Sequence, residues 1–435
     1  MSDAAIIRQL NSLRLDSLIV EQHKNGRMNL PASFLKEWRE MYHYAKALLE
    51  NQRRGLLVRK MARLLFEITL SLATVNEDGR PNYYQYTNAR LLDWFLSPEL
   101  KTLTELKVQA RVGIFVMLQD LLEFEARTLG GLEQNLLANF DKISAHKRQD
   151  AIADAMKVML ASVSGPSIQE VMHFENLEQY AKQPSRLSAV VHFSCMPLTQ
   201  NHDEVVFIRV LHASELCFYG IRLCLTVAIE AIKARQMIVA SRELKDAASI
   251  ARLLHKVLQV LLTMPVEHFA QFRDLTGKAS AIQSMSYHLM DIFLRGVNTE
   301  KAEHFKAVEQ LKPLLRYAHP KFMSLRTCLD YLAEMSSEWS DVYAAARELD
   351  THLLTWRGLH LGFAKRYIPF GQGGTGGTTG ASYLHKHLKM GLFAETEPDY
   401  SLIQEMFPEL ELPGTARVAT GITVAPPPEI ISAKA

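Results

Sequence analysis

The sequence predicts an all-α protein, a helical bundle with an added N-terminal helical region. Two observations predict it: apolar residues recur at helical spacing in the long segments of the chain, and no strand–helix alternation or internal repeat accompanies them. Residues 204–234 read as the first long helix of the second half, apolar on most sides and therefore interior. Residues 241–263 read as the second. There Ile250, Leu253, Leu254, Val257, Leu258, Leu261 and Leu262 fall on one broad stripe of a 3.6-residue helix. Residues 280–295 read as a third, with Ile282, Met285, Leu289 and Ile292/Phe293 on one face, and residues 340–366 as a fourth, running into Pro369. Short β-branched or alternating stretches near Ala189–Phe193 and Val418–Val424 are the sole strand signals.

Composition removes several classes of function. The chain has 435 residues, 48% hydrophobic and 22% charged, enough apolar material for a large core of two or three domains. Its 49 basic and 47 acidic side chains leave a net charge of +2, against a bulk electrostatic binder of nucleic acid. The strongest apolar run, Phe207 to Ala234, is broken by Arg209, His212, Glu215, Arg222 and Glu230, so no membrane helix is expected. The opening MSDAAIIRQL lacks the basic-then-apolar order of a signal peptide, and Cys195, Cys217, Cys224 and Cys328 form neither C-x-x-C nor a zinc spacing. A reducing, cytoplasmic setting is expected. Residues 76–81 and the glycine-rich 371–380 read as loops, and the prolines from Pro426 open an extended tail. Motif density divides the chain into an N-terminal helical region, 1–195, a core, 196–412, and a tail, 413–435.

Four constellations carry chemistry. Gly371-x-Gly373-x-x-Gly376 fits a dinucleotide fingerprint in form, but a helix precedes it where a strand is needed, and no Gly-Lys-Ser/Thr follows. It reads as a linker or as a loop that folds over a small polar ligand. Trp356-Arg-Gly-Leu-His360 places a lone histidine near a helix end, ordinarily a satisfied core or surface residue. Phe272-Arg273 closes a helix ahead of a loop, where arginine either caps carbonyls or binds a carboxylate bidentately. In His202-Asp-Glu-Val-Val-Phe207 the acids complement a helix N-terminus, and Phe207 and Leu211 share a face.

In this order the four resemble the haem-dependent tryptophan 2,3-dioxygenase superfamily. The family's H-D-E-x-x-F-I block is matched by His202 to Ile208, and its following Glu-Leu by Glu215-Leu216. Its F-R and A-S…Q-S block is matched by Phe272-Arg273 and Ala279 to Ser284, its W-R-x-x-H by Trp356 to His360, and its G-T-G-G-S-S-G by Gly374 to Gly380. The resemblance implies an oxygenase that inserts O2 across C2–C3 of the ring of L-tryptophan or a related indole amino acid. It implies haem b, with His360 as the iron ligand and Trp356 beside it. Arg273 is implied as the partner of the substrate carboxylate, Thr375 with Gly376 as partners of its charged end, and Phe207 and Phe269 as walls for the ring. Leu211 falls where the family has its distal histidine. His212 lies one position on and takes that role only if the helix is bulged. Tyr83-Tyr84-Gln85-Tyr86 resembles an element that completes the pocket of a neighbouring subunit in a dimer or tetramer. Mono-oxygenation of a tryptophan or tyrosine derivative, and a non-enzymatic haem or ligand sensor, are the competing readings.

Overall fold

The structure is a computed structural model of the chain. It describes residues 1–73, 89–96, 101–131, 139–160, 171, 173–183, 186–276, 284–333, 339–369, 373, 381–388 and 390–410. Among these the regular structure is helical and no β-strand occurs, as the spacing of apolar residues predicts. No single helix among them is long and apolar enough to cross a membrane. The N-terminal helices are α1 (Asp3–Asn11), α2 (Leu15–Asn25), α3 (Ala32–Glu50), α4 (Leu56–Ala73), α5 (Ala89–Phe95), α6 (Leu103–Leu129), α7 (Lys142–Leu160), α8 (Leu177–Lys182) and α9 (Leu187–Ser194). Then come α10 (His202–Lys233), α11 (Met237–Leu261), α12 (Val266–Arg273), α13 (Met285–Arg295), α14 (Thr299–Ala307), α15 (Leu325–Ala333), α16 (Ser340–Tyr367), α17 (Ala381–His387) and α18 (Tyr400–Met406).

The four long helices expected from periodicity are α10, α11, α13 and α16. The third begins at Met285 with Ser284 as its cap, whose hydroxyl accepts from Tyr287 N. Ala189–Phe193, strand-like in composition, lies in α9 instead. That short helix is buried at seven of its eight positions, so its β-branched residues report burial rather than pleating. The loop at 76–81 and the tail from 413 lie outside the described residues.

Helix α10 is the axis of the molecule. Asn201 caps it through Asp203 N, and Asp203 and Glu204 occupy its first turn. Helix α11 packs on α10 with one part of its surface and on α16 with another, while α6 covers a different face of α10. Two large apolar cores result. One gathers α1–α4, α8 and α9 around Trp38, Leu64, Ile68 and Phe193. The other gathers α6 and α7 with α10–α13, α15, α16 and α18, and α5 and α9 give residues to both. A boundary at 195/196 therefore does not coincide with the division between the cores. Helix α6 buries Ala110, Ile114, Met117 and Leu121 with the second core although it carries no functional motif, so motif density and burial part company there.

The segment between α9 and α10 joins the cores. Arg27, 1% exposed, donates from Nε to Met196 O at 3.0 Å and from Nη1 to Ser71 O at 3.0 Å. Backbone bonds run from Arg27 N to Pro197 O and from Met28 N to Leu198 O. Gly26 has φ +67°, and a side chain there would collide with the backbone of Leu198 and Thr199. From the other side, Glu204 of α10 accepts from Leu198 N at 2.7 Å and Thr199 N at 2.8 Å.

Candidate functional site

An aromatic cluster lies between α10, α12, α13 and α16. On α10, Phe207, Leu211, Ser214 and Phe218 follow at spacings of four, three and four, one stripe of a regular helix. On α16, Trp356, His360, Phe363 and Tyr367 repeat the pattern. The stripes meet where Phe218 packs edge-on to Trp356, with ring centroids 5.1 Å apart, and Tyr287 of α13 closes on Trp356 at 5.8 Å. Toward the other end Phe269 of α12 bridges them, 5.7 Å from Phe207 and 5.8 Å from Phe363. Phe207, Leu211, Trp356 and His360 are only half-buried, although the helices bearing them are mostly buried.

His360 stacks on Trp356, its fourth residue back, with centroids 5.3 Å apart. Its ring nitrogens make no hydrogen bond among the described residues. Its apolar surroundings push its pKa down to about 4, so the ring is neutral at pH 7. A half-buried neutral imidazole among aromatic rings, with no hydrogen bond to its ring nitrogens among the described residues, has the donor chemistry to hold a haem iron. The neighbouring Arg357 is committed elsewhere: it donates to Met390 O at 2.6 Å and meets Asp291 at 3.2 Å.

Arg273 ends α12, is 7% exposed, and donates from Nη2 to Gly373 O at 3.0 Å. Gly373 thus lies against the same arginine expected to hold a carboxylate. Phe207, Phe269, Arg273, Trp356 and His360 share one neighbourhood in the structure. Thr375 and Gly376, and Tyr83 to Tyr86, lie outside the described residues.

Leu211 shares the half-buried stripe with Phe207. His212 does not. Helix α10 is regular across Phe207–Glu215, so the bulged alternative that would turn His212 inward is not realised. Its ring is fully buried on the α9 side, with Nδ1 3.3 Å from Nη1 of Arg209 and 3.5 Å from Ser194 Oγ. Successive residues diverge by about 100° on a helix, and Leu211 and His212 divide accordingly.

The H-D-E block does more than complement a helix dipole. Asp203 accepts from Arg148 of α7 at 2.7 Å and from His268 of α12 at 2.6 Å, and Arg148 also reaches Glu125 of α6 at 2.5 Å. Burial opposes ionisation of Asp203, but its bonds to His202 and His268 and the Arg148 charge outweigh burial and hold the carboxyl well below the usual range. The same bond to Asp203 raises the pKa of His268. Arg148, Glu125 and His268 carry no motif signal. Only the adjacency of His268 to Phe269 hints at a role.

Comparison with known proteins points to one family. The family profile described as tryptophan 2,3-dioxygenase matches residues 163–317, which include Phe207, Leu211, Phe269 and Arg273 and end before Trp356 and His360. The chain is 28% identical over 242 residues to the tryptophan 2,3-dioxygenase of Erythrobacter litoralis (strain HTCC2594), covering 46% of this chain and 89% of that protein. It is 25% identical over 234 residues to that of Bacillus thuringiensis subsp. konkukian (strain 97-27), covering 46% and 84%. It is 28% identical over 235 residues to that of Cupriavidus necator (strain ATCC 17699), covering 46% and 80%. Over about half of its length the chain is thus similar to tryptophan 2,3-dioxygenases.

Proposed function

We propose that the protein is a haem-dependent dioxygenase of L-tryptophan or a closely related indole amino acid, opening the ring between C2 and C3 with both atoms of O2. One observation carries the reading: the neutral His360, without a hydrogen bond among the described residues, lies with Trp356, Phe207, Phe269 and the buried Arg273 in and beside one aromatic cluster. When bound at His360, haem b supplies the iron chemistry that activates O2. The remaining work belongs to the chain. Arg273 takes the substrate carboxylate as a bidentate partner in place of Gly373 O, and Thr375 with Gly376 engages the charged end of the amino acid. Phe207, Leu211 and Phe269 exclude water and hold the indole flat. Leu211 offers no acceptor to the indole N–H and meets that edge by apolar contact.

The protein is further proposed to work in the cytoplasm, as its four free, buried cysteines suit a reducing compartment, and as a homodimer or homotetramer. The test begins with His360→Ala, which is expected to fold and to bind little haem. Retention of haem with an unchanged iron spectrum would remove the assignment. Turnover of L-tryptophan by the holoprotein, with a product two oxygen atoms heavier, separates dioxygenation from mono-oxygenation and from sensing.

A further inference from the structure

Behind His360, helix α16 carries two glycines, Gly358 and Gly362, one helical turn apart. Each receives a side chain from the C-terminal segment. A Cβ on Gly358 would stand 3.0 Å from Cγ1 of Ile403 and closer still to its Cδ1. One on Gly362 would stand 2.6 Å from Cε2 of Phe407, inside the ring's contact surface. Ile403 and Phe407 are both fully buried. Glycine inside a helix is destabilising relative to alanine, and here it admits a close approach that no other residue would allow. His360 is two residues from each glycine, about 200° around the helix, so the imidazole and the notches occupy opposite faces.

Other positions of the helix are fastened to the same stretch of chain. Asp350 accepts from Leu392 N at 2.7 Å and Phe393 N at 3.1 Å, and Thr355 Oγ1 accepts from Asp399 N at 2.7 Å. Arg357 donates to Met390 O at 2.6 Å. At His360 itself the ring contact among the described residues is Trp356. Helix α16 is thus held by the C-terminal segment on the side away from His360, besides its packing on α11.

We propose that Ile403 and Phe407, seated in the Gly358 and Gly362 notches, are positioning residues for the haem ligand: the C-terminal segment fixes the depth and tilt of α16 and so the orientation of His360. This rests on the reading of His360 as the axial ligand. A methyl group at position 362 has to displace α16 or Phe407 by on the order of 1 Å to reach ordinary contact distance.

Full-length apoprotein titrated with haemin, together with the iron–histidine stretch of the ferrous holoprotein by resonance Raman, tests the proposal. Gly362→Ala is expected to weaken haem binding by about 10–100-fold, the usual scale for a disturbed outer support of a metal ligand, and to shift the stretch. Adding Phe407→Leu makes room for the new methyl and is expected to restore both readouts. A folded Gly362→Ala with haem affinity and stretch unchanged, or a defect that Phe407→Leu leaves in place, overturns the proposal. If Gly362→Ala does not fold, Phe407→Leu alone decides: it opens space behind the helix and should shift or broaden the stretch, and an unaltered band overturns the proposal. His360→Ala in the same titration separates the two readings. Haem bound by that variant as tightly as by wild type defeats the ligand assignment. Haem lost from it but indifferent to position 362 defeats only the positioning.

Discussion

At the scale of single residues, Arg273 and His212 make opposite claims. Arg273 is almost fully buried and holds a backbone carbonyl, a weaker partner than the carboxylate it is proposed to receive. Removing one member of a desolvated charge pair costs about 3–5 kcal/mol. Arg273→Ala should therefore weaken binding of the amino acid by several hundredfold or more, while its decarboxylated amine loses little. Calorimetric titration with both ligands decides, and equal losses would make Arg273 a structural residue. His212 points the other way, to Arg209 and Ser194. His212→Asn should lower thermal stability, because a buried donor loses its acceptor, yet leave turnover within about an order of magnitude. An N-methylated indole substrate should also be accepted, since Leu211, which stands where the family has its distal histidine, offers the N–H no acceptor. Rejection of that analogue, together with a dead but haem-replete His212→Asn, would place His212 in the chemistry.

Among the elements, α12 is held by a proton. His268 donates to Asp203 from the turn that bears Phe269 and Arg273, and Asp203, Glu267 and Asp141 all favour its charged form. A histidine whose folded pKa lies above its unfolded 6.5 contributes stability that is complete below pH 6.5 and disappears as pH rises through the folded value. The thermal midpoint of wild type should exceed that of His268→Gln by a few degrees (~2–4 °C) on the acid side and converge with it above the raised pKa. A gap independent of pH would show that hydrogen bonding alone, without charge, docks α12. This bond also marks how far the sequence could be read. The stripes of α10, α11 and α16 were legible because burial imposes a 3.6-residue period on consecutive residues. The positions Phe207, His360 and Arg273 were legible only through the resemblance, since each alone reads as core, surface or cap. The Arg148–Asp203–His268 network was not legible at all. Its members lie far apart in the chain, share no period, and become partners only when three helices converge. Position 211 against 212 was legible from helix geometry once the stripe began at Phe207.

Taken whole, the molecule is two cores sewn together by residues 195–199, with Arg27 as the main stitch. Arg27→Ala leaves Met196 O and Ser71 O without that donor, at about 1–3 kcal/mol for each buried group left unpaired. Hydrogen exchange should then quicken in α1–α4, α8 and α9 and remain slow in α11, whose contacts belong to the other core. Uniform acceleration throughout the chain would mean that the two cores open as one. The first core has a further property. It draws on Ile6 to Leu72 and then on Leu177 to Met196, with α6 and α7, members of the second core, in between. During synthesis, at about 5–20 residues per second, the first four helices leave the ribosome several seconds before the pieces that seal them. Closing so long a loop adds little to the equilibrium cost, because that cost grows only with the logarithm of length. The burden falls on the interval itself. Apolar faces made by the first four helices stay open to water, and to other nascent chains, until α8 and α9 arrive. A chain terminated at residue 73 would accordingly behave as an aggregation-prone fragment rather than as a domain.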